Sequence, residues 1–230
     1  MAPETSRIWS AREIAAVIDH TLLVPTASVA AIETLCAEAL EHGFAAVCVN
    51  GVHVGLCARL LQGSGVAVSA VIGFPLGAND PRAKRHEARL ALDEGARELD
   101  MVLQLGALLS GDHERVAGDI EGVVAEAQAR GARVKVILET GVLERAHIVA
   151  ACRIAERAGA DFVKTCTGFG PRGVTTADVE LLRASVSPAL GVKASGGIKG
   201  AHFARELLAA GATRLGTSVS LAILREAQSG

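Results

Sequence analysis

Short runs rich in valine, isoleucine and alanine alternate along the chain with longer stretches in which Ala, Leu, Glu and Arg predominate. The apolar runs are FAAVCVN (44–50), VAVSAVIGF (66–74), RELDMVL (97–103), RVKVILE (133–139), DFVKT (161–165), GVKAS (191–195) and TRLGTS (213–218). Their length and β-branched content predict strands. DHTLL (19–23) supplies an eighth, followed by a helix predicted from Ser28 to about His42. The segments EHGF, DEGARELD, ARGARV, RAGADFV and AAGATRL are helix ends closed by glycine that lead straight into the next strand. Eight strand–helix units predict an α/β protein built as a (β/α)8 TIM barrel. An open doubly wound sheet shows the same alternation, and the strand count favours the barrel. The residues ahead of Asp19 are expected to form an N-terminal helix capping the bottom of the barrel. No linker, charge block or low-complexity segment divides the chain, so residues 1–230 read as a single domain.

Composition narrows the partners. Half of the 230 residues are hydrophobic, enough for one large core. A net charge of -2 and a pI near 6.4 provide no broad basic field, which argues against nucleic acid or an anionic membrane as partner. No window stays apolar for the ~20 residues of a membrane span, and the first residues lack the pattern of a secretory leader. Cys36, Cys48, Cys57, Cys152 and Cys166 are scattered, without a CxxC pair, as expected for reduced thiols in the cytoplasm. The seven histidines show no paired metal spacing, so no metal and no cofactor is expected. His20 is expected to make a structural hydrogen bond.

The chemistry concentrates at strand ends. In a barrel, catalytic side chains sit at the C-terminal ends of the strands, and Asp100, Lys164 and Lys193 fall there. The two lysines lie on consecutive strands, about 4.8 Å apart between backbones. If both point inward, desolvation and like charge disfavour protonation, and an amine with lowered pKa can attack a carbonyl to form a Schiff base. The plainer alternative is that they point outward between helices and pair with carboxylates; two on adjacent strands, with an aspartate at equivalent height, favour the inward cluster. After the last two strands, SGGIKG (195–200) and GTSVS (216–220) are glycine-rich, where barrels often bind phosphate through backbone N–H groups. Gly196, Gly197, Gly216, Thr217 and Ser218 are the candidate ligands. GFGPRG (168–173) matches G-x-G-x-x-G formally, but the next strand carries Lys193 instead of the acidic residue a dinucleotide needs. It reads instead as part of a phosphate or substrate lid containing Gly168, with Arg172 as an extra cation. Thr165 and Cys48 complete the expected substrate contacts.

These motifs resemble the deoxyribose-phosphate aldolase family. The resemblance runs nearly end to end, through IDHTLL, FAAVCVN, AVIGFPLGAN, GARELDMVLQLGALLSG, KVILET, FVKTCTGFG, VKASGGIK and GATRLGTS. It implies a homo-oligomeric class I aldolase, a dimer or larger, that reversibly cleaves 2-deoxy-D-ribose 5-phosphate to acetaldehyde and D-glyceraldehyde 3-phosphate. It implies Lys164 as the Schiff-base lysine, Lys193 as the second lysine that depresses its pKa, and Asp100 as the proton relay. Family members commonly carry Ser at Cys166, Asn at Gln104 and Lys at Val24, and many end in a tyrosine implicated in proton transfer; this sequence contains no tyrosine. Two alternatives stand beside this reading. One is a related lysine-dependent aldolase with another aldehyde pair, the other a sugar-phosphate-binding barrel with impaired turnover or none.

Overall fold

A computed structural model describes residues 9–229. Eight parallel strands close into a barrel in chain order: β1 (Ile18–Leu22), β2 (Ala46–Val49), β3 (Ala67–Ile72), β4 (Glu98–Val102), β5 (Arg133–Ile137), β6 (Phe162–Lys164), β7 (Gly191–Ser195) and β8 (Arg214–Thr217). β8 pairs back onto β1, Asp19 opposite Gly216, and this seam closes the cylinder. Each strand lies within two residues of the bounds expected from the apolar runs.

The surrounding helices are α1 (Ala11–Ala15), α2 (Val29–His42), α3 (Val54–Leu60), α4 (Pro81–Asp93), α5 (Leu105–Leu109), α6 (His113–Gln128), α7 (Arg145–Arg157), α8 (Thr176–Ser185), α9 (Ala201–Ala209) and α10 (Ser220–Ser229). The expected Ser28–His42 helix is α2. Ser28 caps its first turn by accepting from the Ala31 N–H, and Gly43 ends it in a left-handed conformation that a side chain would disfavour. A helix also precedes β1: α1 is short, begins with a capping box between Ser10 and Glu13, and packs against α10. Its expected extension towards residue 1 lies outside the described residues.

Alternation along the strands separates two interiors. Leu99 and Met101 in β4, Val134 and Val136 in β5, Val163 in β6 and Val192 in β7 belong to one continuous apolar core that fills the layer between sheet and helices. The intervening positions, Glu98 and Asp100, Lys135, Lys164 and Lys193, are also buried. Period two places them on the opposite face, inside the cylinder. The apolar layer holds the barrel together, and the cylinder's interior is largely ionic.

Two glycines shape that interior. A Cβ at Gly191 would meet the Phe162 ring at 2.2 Å, so the glycine leaves room for this ring, which faces the guanidinium groups of Arg133 and Arg214. A Cβ at Gly216 would meet Lys193 Cε at 3.0 Å, so glycine on β8 makes space for the lysine chain.

Candidate active site

Strand register sets the first geometric fact. Lys164 on β6 stands directly beside Lys193 on β7, and Lys193 beside Arg214 on β8. Inward-pointing side chains at matched heights must meet in a barrel of this size. Lys164 Nζ donates to Asp100 Oδ2 at 2.6 Å, and Lys193 Nζ to the same oxygen at 2.7 Å. The three residues singled out by strand position are thus brought together on one carboxylate oxygen.

The cluster is larger than the sequence suggested. Lys135 donates to Asp100 Oδ1 at 2.8 Å and lies 2.5 Å from Glu98 Oε2. Ser69 Oγ donates to Asp100 Oδ1 at 2.9 Å. Asp19 accepts from Lys193 and from Arg214 Nη1, the latter at 2.6 Å, and Arg214 Nη2 reaches Glu98 Oε1 at 3.1 Å. Sequence reasoning missed Lys135, Asp19, Glu98, Ser69 and Arg214 as members of this network. The usable signal was the i, i+2 spacing of Glu98 with Asp100, and Lys135 between two valines. A charge at every second position of a buried strand is a charge inside the barrel.

Four buried cations, Lys135, Lys164, Lys193 and Arg214, face three buried carboxylates, Asp19, Glu98 and Asp100. An uncompensated buried charge is expensive, and with the half-exposed Arg133 also paired to Glu98 the excess of positive charge favours loss of a proton from one lysine. The local environment selects Lys164. Burial pushes its amine below the ordinary lysine range and the neighbouring Lys193 charge adds to the effect, against the pull of Asp100. Burial also opposes charge on Lys193, but Asp100 and Asp19 outweigh it and hold this amine above the ordinary range. Asp100, although desolvated, is kept far below the usual carboxylate range by Lys135, Lys164 and Lys193. The two adjacent amines are thus driven in opposite directions, Lys164 towards neutrality and Lys193 towards charge.

Lys164 also borders open space. A cavity of about 300 Å³ at the C-terminal end of the barrel is lined by Lys164 and by the loops that follow β1, β6, β7 and β8. Among the expected contacts, Gly168, Gly196, Gly197, Gly216, Thr217 and Ser218 all line it. Gly196 and Gly197 both adopt positive φ, 95° and 79°, conformations that favour glycine and turn the chain back over the cavity. The N–H groups of Gly197 and Ser218 meet no protein acceptor among the described residues. The cavity also borders the N-terminal end of α10, whose dipole favours an anion. Thr217 Oγ1 donates to the Ile198 carbonyl at 2.9 Å and joins the two loops. Lys199, which the sequence reading did not single out, is exposed and lines the cavity, adding a positive charge at its mouth.

Three expected contacts fall elsewhere. Thr165 is buried: its hydroxyl donates to the Ser195 carbonyl and accepts from the Ser195 N–H, both at 3.0 Å, which locks β6 to β7 behind the cavity. Cys48 is buried within the ionic interior, its Sγ 4.0 Å from Asp100 Oδ2, and burial pushes the thiol pKa up. Arg172 does not face the cavity. Asp178 takes both its terminal nitrogens, at 2.5 and 3.0 Å, and the Thr140 and Gly173 carbonyls accept from it as well. Asp178 closes the capping box at the start of α8, so the guanidinium is drawn to the helix and away from the mouth.

His20 makes the structural hydrogen bonds expected of it, to Ser220 Oγ at 2.8 Å and to Glu38 Oε2 at 2.7 Å, tying β1 to the start of α10. Of the positions where the sequence departs from the resembled family, Val24 lines the cavity, Gln104 hydrogen-bonds Arg115 and Asn79 elsewhere, and Cys166 is buried against Thr140.

A buried amine pushed towards neutrality at one end of a (β/α)8 barrel cavity, with glycine-rich loops beside it, is an arrangement suited to condensing with a carbonyl. The chain belongs to the DeoC/LacD family aldolases, whose family model matches residues 14–226. It is 50% identical over 212 residues to deoxyribose-phosphate aldolase of Clostridium perfringens, covering 92% of this chain and 94% of the relative. It is 51% identical over 218 residues to that of Thermococcus kodakarensis, covering 94% and 97%. Among solved structures, the tetrameric deoxyribose phosphate aldolase of Aeropyrum pernix superposes with a TM-score of 0.88 at 37% identity, over 94% of this chain and 91% of that one. Orotidine 5'-phosphate decarboxylase of Pyrococcus horikoshii, 17% identical with a TM-score of 0.60 over 91% of this chain and 99% of that one, shares the fold alone.

Proposed function

We propose that the chain is a class I aldolase that reversibly cleaves 2-deoxy-D-ribose 5-phosphate to acetaldehyde and D-glyceraldehyde 3-phosphate. The observation that carries this reading is Lys164, the one lysine of the ionic cluster that both loses basicity and lines the cavity. Its neutral amine attacks the C1 aldehyde of the open-chain sugar. Loss of water leaves a protonated imine, which withdraws electrons from C2. The C3 hydroxyl gives up its proton, the C2–C3 bond breaks, and its electron pair moves to the imine as an enamine. Glyceraldehyde 3-phosphate departs; protonation of the enamine carbon and hydrolysis release acetaldehyde and restore the amine.

In this scheme Lys193 stays protonated and keeps Lys164 from charging. Asp100, within hydrogen-bond reach of both amines, relays protons through a water molecule, which suits a chain without tyrosine. The phosphate lies against Gly196, Gly197, Gly216 and Ser218, with Lys199 nearby. The named activity of the Clostridium and Thermococcus relatives supports the choice of sugar. The tetramer of the Aeropyrum protein supports assembly as a homo-oligomer. Five free, buried thiols support a reducing cytoplasmic setting, and among the described residues no helix is long and apolar enough to cross a membrane.

Borohydride reduction in the presence of deoxyribose 5-phosphate, combined with an acetaldehyde-release assay, tests the reading. The expected result is turnover together with a mass increment on the peptide that contains Lys164. Labelling without turnover would leave a sugar-phosphate binder, and a label confined to Lys193 would reverse the assignment of the two lysines.

A further inference from the structure

Glu139 follows β5 and stands outside the chemistry described so far. It is the only non-glycine residue at positive φ among the described residues (φ 57°, ψ 62°), in the left-handed region that a glutamate seldom occupies. The residue is 95% buried. Oε2 accepts from the Thr167 N–H at 3.1 Å and from the Thr167 hydroxyl, while Oε1 is buried and meets no donor. A Cβ on Gly170 would lie 2.7 Å from Oε1, so the unpartnered oxygen presses against the loop between β6 and α8.

That loop belongs to the cavity. Gly168 and Phe169, which immediately follow Thr167, line it. Farther along, the Val174 N–H donates to the Gly196 carbonyl at 3.0 Å, and ideal Cβ positions at Gly168 and Gly173 fall within 4.0 Å and 2.7 Å of Gly196 backbone atoms. Glu139, Thr167, Gly168 and Gly196 therefore form a packed sequence from the end of β5 to the glycine cradle. A buried carboxylate in a strained backbone conformation, with one oxygen committed to the loop, is a fixed anchor for that sequence.

We propose that Glu139 is a positioning residue for the phosphate subsite: it holds the Thr167–Gly170 loop so that Gly168 supports Gly196 and Gly197 in their anion-binding conformation. The inference rests on the phosphate assignment above. It predicts that Glu139 acts on affinity for the phosphate end and leaves imine chemistry at Lys164 alone.

The test compares the parent protein with Glu139→Ala, Glu139→Gln and Gly170→Ala, measuring inorganic phosphate binding by calorimetry and the kinetics of deoxyribose 5-phosphate cleavage. Glu139→Ala is expected to weaken phosphate binding and raise KM about tenfold, with kcat within about threefold. Glu139→Gln keeps an acceptor for Thr167 and restores affinity to within about threefold. Gly170→Ala places a methyl against the carboxylate from the exposed side of the loop, so it should reproduce the KM effect even if Glu139→Ala fails to fold. Combining it with Glu139→Ala should add little. Unchanged phosphate affinity in folded Glu139→Ala and in Gly170→Ala overturns the inference, as does a fall in kcat at constant KM. A parent protein that binds no phosphate overturns the phosphate assignment itself and the inference with it.

Discussion

Lys164 and Lys84 are both buried lysines whose amines are driven towards neutrality by burial, yet they occupy different regions and have different consequences. Lys84, on α4, points into the layer between sheet and helices, where it donates to Asp119 Oδ2 on α6 at 2.6 Å and to the Val102 carbonyl at 2.8 Å. One cation meets one carboxylate, both fully buried, and burial raises the Asp119 pKa while it lowers that of Lys84. The pair can neutralise itself by an internal proton transfer, and nothing from solvent reaches it. Lys164 sits in a network whose buried members are four cations and three carboxylates, with the half-exposed Arg133 also paired to Glu98, so positive charge is in excess, and its amine borders the cavity. A lowered pKa therefore marks burial. Reactivity needs in addition an imbalance of charge that singles out one amine, and a path to it.

The sharpest way to break this comparison is to remove each lysine in turn. Lys164→Leu should reduce kcat by at least ~10⁴-fold while leaving the fold intact, since it deletes the proposed nucleophile and still leaves Asp19, Glu98 and Asp100 paired with Lys135, Lys193 and Arg214. Lys84→Met should keep kcat within about threefold and lower stability by about 3 kcal/mol, the typical cost of stripping one partner from a buried pair. Chemical denaturation and steady-state kinetics on both variants check this. Activity lost in Lys84→Met at undiminished stability would erase the distinction.

A smaller effect is expected at the other end of the cavity. Gly197→Val forces a β-branched residue into φ 79° and should raise KM for the phosphorylated sugar about tenfold. Unphosphorylated deoxyribose, which makes no use of the cradle, should be affected far less. Equal losses for both substrates would detach the glycine loops from phosphate binding.

The subtlest effect is one of sign in the pH profile. Lys193 lowers the Lys164 pKa and Asp100 raises it. In the proposed mechanism the reactive form is the neutral amine, so activity is expected to fall as pH drops through the Lys164 pKa. Lys193→Met removes a depressing charge and should move this acid limb towards alkaline pH. Asp100→Asn removes a charge-stabilising partner and should move it the other way, alongside any loss of rate. The pH dependence of borohydride trapping, which reports imine formation directly, separates these shifts from later proton transfers. Limbs that stay in place in both variants would show the three groups to be uncoupled.

Much of this molecule was legible from local pattern. Strand periodicity and glycine-closed helix ends depend on residues a few positions apart, so the eight strands could be marked within two residues and Lys164, Lys193 and Asp100 placed at strand ends. The glycine loops after β7 and β8 were readable for the same reason. What pattern alone did not show was the partner of each charge. Asp19 meets Lys193 and Arg214 across 174 and 195 residues of chain, contacts that exist only because β8 closes on β1. Lys135 passed as part of an apolar strand because its three carboxylate neighbours arrive from β4 and, across the barrel, from β1. Arg172 looked like a free cation beside a glycine loop until Asp178 took it at the start of α8. Sequence by itself determined which residues alternate, where helices stop and which side chains bear charge, all short-range properties of the chain. Tertiary structure decided which amine is pushed towards neutrality, because electrostatic energy sums over every charge within a few ångströms and barrel closure is what sets those distances.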